Sequence, residues 1–175
     1  DKEVFMVPMP VAHNACIHHM VHPSLFHGGT AVVCAPEPEA ISRAIERERV
    51  THIFMVPTLF YRWLEFADFE KYDYSSLRLS GTGAQKMHPS QAARIGSKLP
   101  GIFMQVFGMS EGVVMAASPH DLDRVRYETV GKPVSPWDEI KVVDEEGREV
   151  GPGEPGELIC RGPYTIRGYY KAEEY

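Results

Sequence analysis

Short runs of β-branched and apolar residues alternate with longer helical segments through the first 118 residues, and this alternation strongly limits the possible folds. The candidate strands are Val4–Val7, Ala31–Cys34, His52–Val56, Leu77–Ser80 and Ile102–Phe107. Strands that alternate with helices form parallel sheets, because each helix carries the chain back across the sheet before the next strand begins. The sequence therefore predicts an α/β fold, a mostly parallel sheet with crossover helices.

Four helical segments are expected between these strands, and three of them have clear boundaries. The segment from Pro38 to Arg49 is apolar on one stripe and charged on the other, which predicts an amphipathic helix. A helix is also predicted from Pro89 to Leu99, since proline in the first turn loses no hydrogen bond. The segment from Thr58 to Phe66 carries large apolar side chains that predict core packing, with the lining of a ligand cleft as the alternative. They are Leu59, Phe60, Trp63 and Leu64.

After Pro119, glycine and proline punctuate the sequence and the pattern changes to short strands joined by turns. Strands are predicted at Glu139–Val143 and Glu157–Cys160, and the acidic run at 144–147 predicts a hairpin turn. We therefore predict an α/β subdomain over residues 1–122, followed by a smaller β-rich subdomain, a partial barrel, over residues 123–175. Both ends look cut, so the chain is expected to be an internal fragment of a longer protein.

Composition argues against several classes of function. The chain has 175 residues, of which 43% are hydrophobic, and this is enough to build a core. A net charge of −6 argues against a nucleic-acid or anionic membrane surface. The 3 cysteines are widely spaced, which favours reduced thiols in a cytoplasmic protein. A signal peptide and an apolar run of about 18 residues are both absent, so neither export nor membrane insertion is predicted.

The stretch from Gln105 to Val114, QVFGMSEGVV, breaks a β-type run at Gly108 and then places a hydroxyl beside a carboxylate. Ser110 can donate to a phosphate oxygen, and Glu111 can bind a hard cation such as Mg²⁺ through oxygen. Phe107 offers a flat face to a base. The stretch predicts a nucleotide and metal site at a strand end, and the alternative is a turn with a surface glutamate.

Ligands of open parallel sheets bind beyond the carboxyl ends of the strands. Residues 11–14, 81–84 and 107–112 follow the first, fourth and fifth predicted strands, so we expect them to meet at one edge. Residues 81–84, Gly-Thr-Gly-Ala, let a flat ring approach the backbone, although a plain turn has the same sequence. Asn14 can read a ring hydroxyl because its amide both donates and accepts, and its alternative role is a helix cap.

Three separated segments of the chain occur in the order typical of the adenylate-forming enzymes, and the chain resembles this superfamily of acyl-CoA synthetases, luciferases and peptide-synthetase adenylation domains. Residues 107–112, FGMSEG, are similar to the aromatic–Gly–x–Thr–Glu signature of that superfamily. They resemble more narrowly the aryl-acid AMP ligases of siderophore biosynthesis, which activate 2,3-dihydroxybenzoate or salicylate. Residues 12–14, AHN, and 161–174, RGPYTIRGYYKAEE, support the narrower match. The resemblance covers nearly the whole chain.

The resemblance implies a parent enzyme that joins an aryl acid to the α-phosphate of ATP, releases pyrophosphate and passes the acyl group to a thiol. That thiol belongs to the phosphopantetheine of an aryl carrier protein or to CoA. The implied catalytic residues are Ser110, Glu111 as the Mg²⁺ ligand, and His13 beside the path of the thiol. The implied nucleotide contacts are Gly83, Ala84, Phe107, Gly108 and Ser110. The implied acid pocket comprises Asn14, His19, Gly83 and Val114.

The residues after Asn14 depart from the family pattern, which continues with an aromatic residue, Pro, Leu and two Ser. Here they are Ala15, Cys16, Ile17, His18 and His19. A small Ala15 widens the pocket, and His19 replaces a small hydroxyl by a larger, titratable ring. A hydroxylated heteroaromatic or otherwise substituted benzoate is therefore an alternative acid. An amino acid is disfavoured because Asn14 stands where an Asp would pair an α-ammonium group, and no segment suggests a tunnel for a fatty acid.

Five histidines between His13 and His27 raise the question of a zinc site, since His18 and His22 are one helical turn apart. No Cys, Asp or Glu lies at ligand spacing, and Pro23 interrupts the helix, so a zinc site is disfavoured.

The basic and aromatic side chains of residues 161–167 are interpreted as the edge of the β layer, with partner contacts as the alternative.

Three parts of the family pattern are absent from these 175 residues. They are the phosphate loop with its lysine, the Thr-Gly-Asp that binds ribose, and the C-terminal lysine that touches the acyl phosphate. The chain alone is therefore expected to lack adenylation activity, and acid-dependent pyrophosphate exchange by the pure chain would contradict this expectation. The alternative function is a non-catalytic nucleotide-binding module, which calorimetry with ATP·Mg²⁺ and aryl acids would reveal.

Overall fold

The computed structural model describes residues 2–172, and its main element is a seven-stranded sheet. The strands are β1 (Val4–Met6), β2 (Thr30–Val32), β3 (His52–Met55), β4 (Leu79–Thr82), β5 (Ile102–Gly108), β6 (Val114–Ala116) and β7 (Lys132–Pro133). They lie in the order β2-β1-β3-β4-β5-β6-β7. The strands from β2 to β5 are parallel, and β6 and β7 are antiparallel. The predicted α/β fold with a mostly parallel sheet is confirmed.

The helices are α1 (Asn14–Cys16), α2 (His22–His27), α3 (Pro38–Glu48), α4 (Pro57–Leu64), α5 (Pro89–Lys98) and α6 (Asp123–Glu128). A π-helical turn, Ile17–Val21, joins α1 to α2, and a 3-10 turn spans Phe69–Lys71. The three helices with predicted boundaries are confirmed to within two residues. Each of them has a proline in its first turn, where the missing N–H has no helical partner.

The larger core lies between one face of the sheet and helices α3, α4 and α5. Trp63 of α4 is completely buried there, and its Nε1 donates to Ser42 Oγ at 2.8 Å. The four apolar side chains predicted for this helix are at most 5% exposed. They therefore belong to the core and do not line a ligand cleft.

The opposite face of the sheet carries a smaller apolar cluster under α1 and the π-helical turn. Successive strand residues point to opposite faces. Phe54 therefore faces this smaller cluster, whereas Ile53 and Met55 face the larger core. The covering is partial, and the uncovered part of this face forms the cavity described below.

The β-rich part contains a two-stranded antiparallel sheet of β8 (Glu139–Val143) and β9 (Glu157–Arg161). Both predicted strands are confirmed, β9 with one further residue. The turn at 144–147 is closed by a hydrogen bond from Gly147 N to Asp144 O, at 3.0 Å. The division into subdomains at residue 122 stays a prediction, and β7 continues the larger sheet beyond that position.

None of the helices in the described part of the chain combines the length and the apolar character that crossing a bilayer requires.

Candidate functional site

The tight turn between β5 and β6 carries Ser110 and Glu111. Gly108 pairs with Val114 in the last rung of the two strands. The turn is closed by backbone bonds from Met109 to Val113 and from Gly112 to Met109, both at 3.3 Å. Ser110 is exposed and Glu111 is partly buried. The turn therefore presents a hydroxyl and a carboxylate just beyond the carboxyl end of β5, at the strand end that the sequence predicted.

Asn14 reaches this turn from a segment 96 residues away in sequence, where its Nδ2 donates to Ser110 Oγ at 2.9 Å. The helix cap is His13, whose Nδ1 accepts a hydrogen bond from the Ala15 amide at 3.1 Å. The alternative role of Asn14 as a helix cap is therefore wrong, and its amide is directed across the edge of the sheet. Two of the predicted segments meet at this edge, as expected for strand ends of one parallel sheet.

The carboxylate of Glu111 is held by hydrogen bonds. Tyr169 Oη donates to Glu111 Oε1 at 2.7 Å, and this bond lowers the pKa of the carboxyl below its usual value. No lysine or arginine pairs with the carboxylate among residues 2–172. An ionised carboxylate has about four acceptor sites, so Glu111 retains capacity for a cation.

Gly81 and Thr82 were expected to follow the fourth strand, but they are its last two residues, because β4 lies two residues later than predicted. Gly81 and Gly83 leave room for the ring of Phe54. A Cβ atom on Gly83 would lie 2.9 Å from Phe54 Cζ, and one on Gly81 would lie 3.0 Å from Phe54 Cδ2. The ring that approaches this backbone in the structure is thus a side chain of the chain itself. Ala84 follows at φ 71° and is exposed. The adenine contacts expected of Gly83, Ala84 and Phe107 stay predictions.

A cavity of about 240 Å³ opens on the face of the sheet opposite α3, α4 and α5. Its walls are mainly apolar and come from β3, β4, β5 and β6. The lining includes Phe54, Met104, Val106, Val114 and Ala116, together with His18, His19 and His52. Of the four predicted acid-pocket residues, His19 and Val114 line this cavity. The other two are not among the lining residues. Asn14 bonds to Ser110 of the turn between β5 and β6, and Gly83 lies against the ring of Phe54.

Sequence reasoning missed the contribution of β3 to the cavity. His52 and Phe54 are two residues apart on this strand and therefore share a face. The alternation of this strand could have identified them, because apolar Ile53 and Met55 face the larger core and leave His52 and Phe54 on the opposite face.

His19 stacks on Phe54, with ring centroids 4.1 Å apart and planes inclined by 10°. The π-helical turn brings both His18 and His19 to the cavity, and such turns are frequent at functional sites. Burial, with a smaller contribution from His18, lowers the pKa of His19 to about 4. His19 is therefore neutral at pH 7 and can donate or accept a hydrogen bond without carrying charge.

The histidines do not form a recognisable metal centre. His18 contacts His22 edge to face, with ring centroids 5.3 Å apart. Within residues 2–172, no group of three or more His, Cys, Asp or Glu side chains is arranged to hold a metal ion. The cysteines Cys16, Cys34 and Cys160 are free thiols.

The stability of the chain is expected to fall in mild acid because of His19. Its pKa is about 4 in the folded chain and near 6.5 when unperturbed, so the unfolded chain binds the extra proton between these values. The contribution is complete above pH 6.5 and is lost as the pH falls towards 4. Each pKa unit corresponds to about 1.4 kcal/mol, so a shift of this size corresponds to a loss on the order of 3 kcal/mol.

Urea unfolding at pH 7 and pH 4.5 measures this effect. The His19→Gln variant is expected to lose less stability between the two pH values than the wild type, whereas His120→Gln, at an exposed position away from the cavity, serves as the control. An identical pH dependence in the wild type and His19→Gln would contradict the burial of a neutral His19.

A mostly parallel sheet with polar turns beyond its carboxyl edge and a cavity on one face is typical of α/β domains that bind small ligands. Residues 1–170 match the family described as AMP-binding enzyme. The chain belongs to this family, and the resemblance to adenylate-forming enzymes is confirmed.

The relatives include enzymes of aryl-acid activation. The chain is 42% identical to pyochelin synthase PchD of Pseudomonas aeruginosa, over all of this chain and 32% of the relative. It is 41% identical to the 2,3-dihydroxybenzoate-AMP ligase of Bacillus subtilis, over 98% of this chain and 32% of the relative. It is 48% identical to the 2-hydroxy-7-methoxy-5-methyl-1-naphthoate–CoA ligase of Streptomyces carzinostaticus, over 84% of this chain and 27% of the relative.

The fold is also that of a solved relative. The structure of MbtA from Mycobacterium smegmatis without ligand has a TM-score of 0.88 and 38% sequence identity, over 98% of this chain and 32% of that chain. The chain thus spans about a third of the length of the relatives it matches.

Proposed function

We propose that the chain is part of an ATP-dependent ligase that activates an aryl acid. The whole protein joins the acid to ATP as an aryl adenylate, releases pyrophosphate, and transfers the aryl group to a thiol. The family and the names of the relatives support an adenylate-forming reaction. The observation that carries the proposal is the 2.9 Å hydrogen bond from Asn14 to Ser110. It joins the segment proposed to read the acid to the turn proposed to read the phosphate.

Glu111 is the residue proposed to hold Mg²⁺, and its chemistry fits that role. It is a carboxylate with spare acceptor capacity and no cationic partner among the described residues. Mg²⁺ commonly takes one or two carboxylates and completes its shell with substrate phosphates and water. A single protein carboxylate therefore suffices. When bound, the cation would neutralise charge where the acid carboxylate meets the phosphate.

The remaining residues of the edge are proposed to position the nucleotide and the thiol. Ser110 donates to a phosphate oxygen, and Phe107, Gly108, Gly83 and Ala84 contact adenine. His13 borders the path of the thiol, and its exposed ring uses Nδ1 for the helix cap. Its Nε2 therefore carries the ring proton and remains available to an incoming group.

The cavity lined by His19, Phe54 and Val114 is proposed to receive the aryl ring of the acid. Its apolar walls suit a flat ring. Asn14, which bonds to Ser110 of the turn before the cavity-lining Val114, is proposed to meet a hydroxyl ortho to the carboxylate. Salicylate and 2,3-dihydroxybenzoate are the proposed substrates. The small Ala15, in place of an aromatic residue, and the naphthoate ligase among the relatives favour a larger hydroxylated aryl acid as the second candidate.

Acid-dependent exchange of labelled pyrophosphate into ATP by the whole protein tests this function. Salicylate, 2,3-dihydroxybenzoate and a hydroxynaphthoate are the expected substrates, with benzoate, a fatty acid and an amino acid as comparisons. Exchange only with the fatty or amino acid, or with no acid, would refute the proposal. Loading of an aryl carrier protein, compared with formation of aryl-CoA, identifies the acceptor thiol.

A further inference from the structure

The loop of residues 162–170, here called the clamp loop, follows β9 and packs on the turn that carries Glu111. Ile166 N donates to the backbone oxygen of Glu111 at 2.9 Å. Thr165 lies against Gly112, where an added Cβ atom would be 3.3 Å from Thr165 Oγ1. The clamp loop thus fixes both the main chain of Glu111 and the residue after it.

The clamp loop also holds the side chain of Glu111, through Tyr169. Gly168 has φ +147°, a conformation that other residues rarely adopt, and it allows the chain to bend just before Tyr169. The Tyr169 hydroxyl donates to Glu111 Oε1 at 2.7 Å. The next residue, Tyr170, is 89% exposed and contacts Lys171 through its ring. Tyr169, which is 55% exposed, therefore contacts the carboxylate, whereas its neighbour Tyr170 contacts Lys171 and serves as the comparison.

We propose that Tyr169 is a positioning residue for the carboxylate that binds the cation. The inference rests on the proposed role of Glu111 in the adenylating enzyme. A glutamate side chain has several rotamers, and fixing them in advance reduces the entropy lost when a ligand binds. Partners that orient a metal ligand typically contribute 10–100-fold to metal affinity or activity. The Ile166 amide holds the main chain of Glu111, and the Tyr169 hydroxyl holds its side chain.

Binding of Mn²⁺, an oxygen-preferring substitute for Mg²⁺, to the whole protein with ATP and no acid provides the direct test. Electron paramagnetic resonance counts the free ion, so the readout does not depend on turnover. Tyr169→Phe is expected to weaken Mn²⁺ binding by about tenfold. Tyr170→Phe, the matched control, is expected to bind as the wild type does. Unchanged or tighter binding in Tyr169→Phe would overturn the proposal.

A double-mutant cycle with Glu111→Ala, which removes the acceptor of the Tyr169 bond, shows whether Tyr169 acts through the carboxylate. Tyr169→Phe is expected to slow pyrophosphate exchange about tenfold when Glu111 is present and to have little effect in the Glu111→Ala background. Equal losses in both backgrounds would overturn the positioning role. A wild-type protein that binds no Mn²⁺ with ATP and shows no exchange would instead refute the proposed function itself.

Discussion

The Glu111→Gln variant of the whole protein is expected to lose on the order of 100-fold in kcat for every acid that the enzyme accepts. The amide has nearly the same shape as the carboxylate and still accepts a hydrogen bond from Tyr169. It lacks the negative charge that attracts Mg²⁺. Without the cation, the carboxylate of the acid must approach the phosphate of ATP against the repulsion of two anions. Pyrophosphate exchange at saturating acid measures the loss.

Glu145→Gln is the control for this prediction, because Glu145 is an exposed carboxylate on the turn at 144–147. It is expected to leave kcat unchanged. A loss in Glu111→Gln that is confined to one acid would show that Glu111 contacts the acid itself. A kcat close to that of the wild type would remove Glu111 from the cation site.

The Asn14→Ala variant is expected to lower kcat/KM about 10–100-fold for acids with an ortho hydroxyl and only slightly for benzoate. An amide that pairs with a hydroxyl in a partly buried site contributes about 1–3 kcal/mol, and each 1.4 kcal/mol is a factor of ten. Benzoate has no such hydroxyl, so its kcat/KM is expected to change only slightly when the Asn14 amide is removed. The ratio of kcat/KM values for salicylate and benzoate, compared between wild type and variant, is the measurement.

Ser110→Ala separates the two roles available to Asn14. Asn14 donates to Ser110, so its removal also frees the hydroxyl that is proposed to contact the phosphate. Ser110→Ala breaks the same hydrogen bond from the other side and is expected to slow all acids equally. If Asn14→Ala also slows salicylate and benzoate equally, Asn14 acts on Ser110 and does not read the acid.

The strands and helices that the sequence predicted belong to the regular alternation of apolar runs and helical segments. The five parallel strands and helices α3, α4 and α5 lie within this alternation. β6 follows β5 after a tight turn with no helix between them, and β7 has only two residues, so the alternation marks neither strand. Their position follows from the turn after β5 and from pairing, which local sequence does not encode.

The candidate site was predictable where side-chain chemistry is concentrated in a short motif. Ser110 and Glu111 stand next to each other, and their location at a strand end follows from Gly108. Contacts between distant segments were not predictable in this way. The bond from Tyr169 to Glu111 spans 58 residues, and the stack of His19 on Phe54 depends on a π-helical turn. Assigning the cap to His13 in place of Asn14 also required coordinates, since the two residues are adjacent at the start of the same helix.

A crystal structure of the whole protein with an unreactive sulfamoyl analogue of the salicyl adenylate tests the central claim most directly. The aryl ring is expected in the cavity between His19 and Val114, with its hydroxyl within hydrogen-bond distance of the Asn14 amide. The linker that replaces the phosphate is expected beside Ser110 and Glu111. An aryl ring outside this cavity, or a linker remote from the turn between β5 and β6, would contradict the account.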